Sequence, residues 1–177
     1  MNKKIRWITE TAVMLALLLC LQWAGSQVPA PAKQLITGSF VNAVLAVAVL
    51  VAGLGSGITV ALISPVLAYA LNIAPQPLTV PAIMVGNCVY VLLLYFIAGK
   101  DSRKLFRQVL AWLAAAGAKF AVLYAIVVWL ICGVIHPNAP RTLIATFSWP
   151  QLFTALIGGA VALLIVPVLR KALKRGK

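Results

Sequence analysis

Apolar residues fill this chain in long runs, and polar residues gather in the short stretches between them. The runs cover residues 7–24, 35–53, 58–71, 80–98, 110–133 and 149–169. A helix rises about 1.5 Å per residue, so roughly 20 apolar residues cross the hydrocarbon core of a bilayer. The interruptions are rich in helix breakers: Pro29 and Pro31, then Gly53-Leu54-Gly55-Ser56-Gly57, then Pro75 and Pro77, then Pro137 and Pro140. The pattern predicts an all-α, polytopic integral membrane bundle of six transmembrane helices, forming one domain over residues 1–177. The third run is the shortest and carries Pro65 as a predicted kink.

Polar residues inside the runs are the informative ones. In the run from Leu110 to Ile135, Lys119 is the single full charge. A lysine at mid-membrane is unfavourable by roughly 2.5 to 3.5 kcal/mol, so it normally faces a bundle interior with a partner. The only acids are Glu10 and Asp101, and neither lies level with it, so a ligand is one source of the counter-charge. The other reading is structural: a late start to the span would let the ammonium snorkel to the headgroups. Both readings stand on the sequence.

Asn42 lies on a face with Gly38 and Ala46, spaced by four, where an amide serves either as interhelical glue or as a ligand contact. Asn87 and Tyr90, three apart, share a face of the fourth span. In the sixth span, Ala155, Gly159 and Ala162 form a small-residue stripe for close packing. Gly53 to Gly57 lacks the Lys-Ser/Thr of a phosphate loop and reads as a tight interhelical turn. Cys20, Cys88 and Cys132 are odd in number, lack CxxC spacing and read as packed core residues. His136 is the only histidine and has no second ligand nearby, so no metal or cofactor is expected.

Composition agrees with the runs, at 63% hydrophobic and 10% charged residues. The net charge of +13 would suggest nucleic acid in a soluble protein. Here twelve of the fifteen Lys and Arg fall in residues 3–6, 100–107 and 170–177, which flank the spans. That is a topological signal, with anionic lipid as its contact and no nucleic-acid partner. It predicts both termini on the cytoplasmic side and outer loops at 25–34, 72–79 and 134–148. A basic lead-in followed by an apolar run and Ala24-Gly25-Ser26 also fits a cleaved secretory signal, although the Trp and Glu within the run count against it.

Two acids and one histidine cannot supply an acid/base pair within the spans, which argues against an enzyme. A stand-alone small transporter should show inverted repeats or a proton-relay carboxylate, and neither is visible; a structural or assembly protein is a further alternative.

The first span contains Ala12-x-x-x-Ala16, a flat strip that another helix can approach closely. In a six-span chain of this length, with both ends inside and substantial outer loops, it resembles the alanine pair of the substrate-binding S-components of energy-coupling factor vitamin transporters. The resemblance implies a plasma-membrane subunit that captures a vitamin or related micronutrient from outside. It also implies docking on a membrane coupling protein driven by two ATPases, with Ala12 and Ala16 at the contact. By position, Gln34 would edge the gate, Asn87 and Tyr90 line the pocket, Lys119 form its deep wall and Trp149 cap it. Asn42 would add a neutral donor and acceptor. The segment Thr37-Gly38-x-x-Val41-Asn42 is distinctive but points to no particular substrate.

Overall fold

The computed structural model describes residues 2–30, 32–73, 76–99, 105–136 and 138–175. Residues 100–104, which hold Asp101 and most of the central basic cluster, lie outside the described residues, as do Pro31, Pro75 and Pro137. Every regular element described is helical: α1 (Lys3–Ser26), α2 (Ala32–Val47), α3 (Leu54–Ala70), α4 (Val80–Ala98), α5 (Leu105–Leu123), α6 (Arg141–Phe147) and α7 (Trp149–Arg175). Two of them end in wider π-type winding, α2 through Ala48–Ala52 and α5 through Tyr124–Ile135.

Local chemistry sets the boundaries. Asn2 caps α1 by accepting a hydrogen bond from the Lys4 amide at 3.2 Å. One turn further on, Arg6 donates to Glu10 at 2.6 Å, the spacing that brings i and i+4 together. Gly53, at φ +101°, turns the chain between α2 and α3, and the Gly53 to Gly57 segment is therefore not a loop. Only Gly53 makes the turn, while Leu54 to Gly57 already form the first turn of α3. The expected outer loop at 134–148 is likewise partly helical, since π winding continues to Ile135 and α6 occupies Arg141–Phe147.

Five helical segments are long and apolar enough to cross a membrane, and α3 is a shorter apolar helix of 17 residues. Trp23, Phe96, Phe106, Trp129, Leu164 and Val168 point outward and are each more than half exposed. A helix that is apolar all round has lipid, not water, on its outer face.

The long helices close into a ring, in which α1 packs on α2, α2 on α7, α7 on α5, α5 on α4, α4 on α3 and α3 on α1. Its centre is filled by Leu18, Leu45, Val60, Val91 and the small residues Ala111, Ala115, Ala116 and Ala155. Trp112 of α5 reaches across to donate to the Ala155 carbonyl at 3.4 Å, so the small-residue stripe of α7 packs against α5. At one end of the ring the start of α1 meets the start of α3, with Trp7 beside Gly55, and the Arg170 guanidinium donates to the Leu50 carbonyl at 2.7 and 3.2 Å. The start of α1, the end of α7 and the basic residues Lys4, Arg6, Arg107 and Arg170 belong to this end. At the other end, α6 is held by a second small core of Leu123, Val127, Ile131, Leu143 and Phe147.

Cysteine placement divides. Cys132 is buried and Cys88 half-buried, but Cys20 faces outward from α1 and is not the packed core residue its apolar surroundings suggest.

Candidate functional site

Lys119 is the fifteenth of the 31 residues from Leu105 to Ile135, and its side chain is only 3% exposed. Snorkelling is thereby overturned, because the ammonium turns inward from mid-helix and reaches no surface. Its Nζ donates to Asn42 Oδ1 of α2 at 2.6 Å and to Asn87 Oδ1 of α4 at 2.7 Å. It also lies 5.5 Å from the centroid of the Tyr90 ring, within reach of a cation–π attraction.

The two amides are oriented by what they touch. An ammonium has only donors, so each asparagine must turn its oxygen toward it. Asn42 then points its nitrogen at the Gly38 carbonyl, 2.8 Å away, and at Thr154 Oγ1 of α7, 3.4 Å away. Thr154 in turn donates to the Gln151 carbonyl at 3.0 Å. Gly38 is required here, because a Cβ would stand 2.7 Å from the Thr154 methyl carbon. Asn42 therefore acts as interhelical glue and as an acceptor for the cation at once.

Lys119, Asn42 and Asn87 line a cavity of about 100 Å³ at the end of the bundle opposite the basic residues. This volume has room for several waters. Its walls come from every long helix: Gln22 of α1, Gln34, Thr37, Gly38 and Val41 of α2, Ser64 and Ala68 of α3, Ile83 of α4, Leu123 of α5, and Gln151 of α7, with Phe147 of α6 above. Three of these carry buried polar atoms without a hydrogen-bond partner: Gln22 Oε1, Thr37 Oγ1 and Asn87 Nδ2. A buried polar atom left unpaired costs about 1 to 3 kcal/mol, so three at one cavity mark it as a place that takes polar partners from solvent or ligand. Lys119 adds to the deficit. Two of its three N–H groups are used, and both acceptors are neutral. The one acid among the described residues, Glu10, is paired with Arg6 on α1.

Of the residues singled out in the sequence, Gln34, Asn42, Asn87 and Lys119 are brought together on this cavity. Tyr90 is fully buried beneath the ammonium and does not line it. Trp149 does not cap the cavity. It is 64% exposed and stacks on Phe120, with ring centroids 5.6 Å apart. Two residues along a helix turn through about 200°, so when Gln151 faces inward Trp149 must face out. Phe147, 2% exposed, takes the closing position instead. Ala12 and Ala16 are exposed on the outward side of α1, opposite its buried Thr11 and Leu18.

Gln22, Gln151 and Phe147 were missed by the sequence reading. Gln22 had a signal, a lone amide after Leu18-Leu19-Cys20-Leu21 in an apolar run. The distinctive segment from Thr37 to Asn42 acquires a meaning, since Thr37, Gly38, Val41 and Asn42 all line the cavity. His136 is exposed at a separate, open surface hollow with Gln76 and Asn138. Among the described residues no group of His, Cys, Asp and Glu gathers to hold a metal.

A ring of apolar helices around a cavity that holds a buried lysine and two asparagines is the architecture of a membrane protein with a small-molecule site. Residues 6–170 match the family of ECF transporter substrate-specific components, and the chain belongs to that family. No curated protein and no solved structure matches it. The protein is thus the substrate-binding membrane subunit of an ECF transporter, a transport component and not an enzyme, working with coupling and ATPase subunits.

Proposed function

We propose that this subunit captures a small, vitamin-like anion from outside the cell and hands it to the transporter's energy-coupling module. The observation that carries the reading is Lys119, an ammonium buried at mid-helix and held by two neutral amides, with no acid beside it among the described residues. A carboxylate entering the cavity would complete the charge pair and take up the third N–H, a charge-assisted bond of about 1.5 to 3 kcal/mol. The cavity end faces outward and the basic end, with both termini, faces the cytoplasm of a plasma-membrane protein. The concentration of Lys and Arg at that end supports this orientation. Docking on the coupling subunit, itself driven by two ATPases, uses the exposed Ala12 and Ala16 face of α1, where small side chains admit a close partner helix.

Mass spectrometry of the small molecules that co-purify with the wild type and with Lys119→Met tests the reading. An anion should accompany the wild type and bind the variant about ten- to hundredfold more weakly. A neutral or cationic molecule retained equally by both proteins would refute it.

A further inference from the structure

The cavity carries more information than the sign of its charge. We propose that its ligand is an aliphatic monocarboxylate with a hydroxyl or amide group that donates a hydrogen bond to Gln22, and that this donor, more than the acid, sets which anion is chosen. The inference rests on the anion-binding reading above and specifies the rest of the molecule.

Five observations carry it. Among the described residues Lys119 is the sole cation on the cavity wall, so one negative charge is matched and a second would be buried unpaired. None of the described residues on that wall is an arginine, whose fork would suit a phosphate. Gln22 is 7% exposed, and its Oε1 is buried without a donor. A carboxylate cannot satisfy that oxygen, because it brings only acceptors, whereas a hydroxyl or amide N–H can. Thr37 Oγ1, also unpaired, lines the same cavity and accepts or donates as the ligand requires. The rest of the wall sets aliphatic side chains, including Val41, Ile83 and Leu123, beside the polar Gln34, Ser64 and Gln151, and among the described residues Phe147 is its one aromatic ring. A fused heteroaromatic ligand would find no pair of rings between which to stack.

Neutral donors in a ligand are selected strongly when the protein leaves an acceptor buried for them. An analogue that fills the cavity but lacks the donor excludes solvent from Gln22 Oε1 and leaves it unpaired. The acid end, by contrast, is common to every carboxylate and discriminates little among them.

The test uses the full-length protein in lipid nanodiscs and a probe series: ω-hydroxy carboxylates of four to eight carbons, the methyl-terminated carboxylates of the same lengths, and the ω-hydroxy primary amides. Affinities are read by calorimetry or ligand-induced thermal shift on wild type, Gln22→Met and Lys119→Met. For at least one chain length the hydroxy acid should bind the wild type about ten- to hundredfold more tightly than its methyl partner. Gln22→Met should bring the hydroxy and methyl acids to equal affinity, and Lys119→Met should weaken both acids. Hydroxy and methyl acids binding equally, with dependence on Lys119 intact, would overturn the donor inference and leave the anion reading standing. Amides binding as well as acids, or acids insensitive to Lys119→Met, would overturn both. No stabilisation by any member at millimolar concentration would overturn the substrate class proposed. The wild-type comparison stands even if Gln22→Met fails to fold.

Discussion

The crossing of α2 and α7 ties stability to the cavity, and Gly158 is where the tie can be cut. A methyl group there would stand 2.5 Å from the Ser39 carbonyl oxygen, 2.7 Å from the Ala43 amide nitrogen and 2.7 Å from Asn42 Cβ. The first two are backbone atoms of α2 and cannot swing aside. Ordinary contact begins at 3.4 Å, so the helices must part by 3.4 − 2.5 = 0.9 Å. Asn42 moves with α2. If the displacement lies along its bond to Lys119, the 2.6 Å separation becomes about 3.5 Å, at the limit of a hydrogen bond. Gly158→Ala should therefore destabilise the protein by about 1 to 3 kcal/mol through overpacking, a fall in melting temperature of roughly 2 to 12 °C for a chain of this size. It should also lower retention of the co-purifying anion, although residue 158 does not itself line the cavity. Gly117→Ala is the control, because a Cβ there meets nothing within 4 Å. That variant should melt at or slightly above the wild type, since alanine favours helix over glycine by about 1 kcal/mol. Melting curves and mass spectrometry on the purified variants decide the matter. Gly158→Ala melting with the wild type and keeping its small molecule would refute the argument from close packing.

Further outcomes follow from single features of the structure. The Tyr90 hydroxyl is buried without a partner, so Tyr90→Phe should leave the ligand-free protein as stable or more stable, whereas Tyr90→Ala should cost about 3 to 5 kcal/mol; a clear loss on Tyr90→Phe would show that the hydroxyl is bonded. Ala12→Leu or Ala16→Leu should block assembly with the coupling subunit while leaving binding intact, and normal uptake by either variant would remove the docking proposal. In a cysteine-free background, a membrane-impermeant thiol reagent should label Arg141→Cys in whole cells but not Lys171→Cys; the opposite pattern would invert the orientation.

Helices and their breaks were legible because lipid leaves the backbone no other way to satisfy its polar groups, so apolar runs and proline-rich gaps map directly onto spans and turns. The same logic exposed the site's deepest residues. Lys119, Asn42 and Asn87 are conspicuous because they stand in apolar surroundings where polarity is expensive. What stayed hidden depended on rotation and on short elements. Trp149 and Gln151 are two positions apart at the head of α7, and no periodicity in so apolar a helix says which of them faces inward. The seven residues of α6 follow Pro140 and are too few to show a helical period, so they read as loop. Gln22 sits near the end of its span, where an amide looks interfacial until the bundle buries it.

The choice of amides around Lys119 explains how one cation can be both tolerated and available. A carboxylate in place of Asn42 or Asn87 would neutralise the ammonium, and an incoming anion would then have to displace it or be repelled by it. Asn42 and Asn87 do neither. Their oxygens, at 2.6 and 2.7 Å, fix the ammonium and supply part of the solvation lost on burial, yet as neutral groups they do not cancel its charge. Asn87 goes further, because the geometry that turns its oxygen to Lys119 leaves its buried Nδ2 free of any partner. Ammonium and amide N–H are thus adjacent donors, and an anion can engage both without breaking either existing bond. On the anion reading, a bound carboxylate would match the Lys119 charge at the deep wall while a neutral donor on the same molecule would reach Gln22 Oε1, so affinity and selectivity would come from opposite ends of one small molecule.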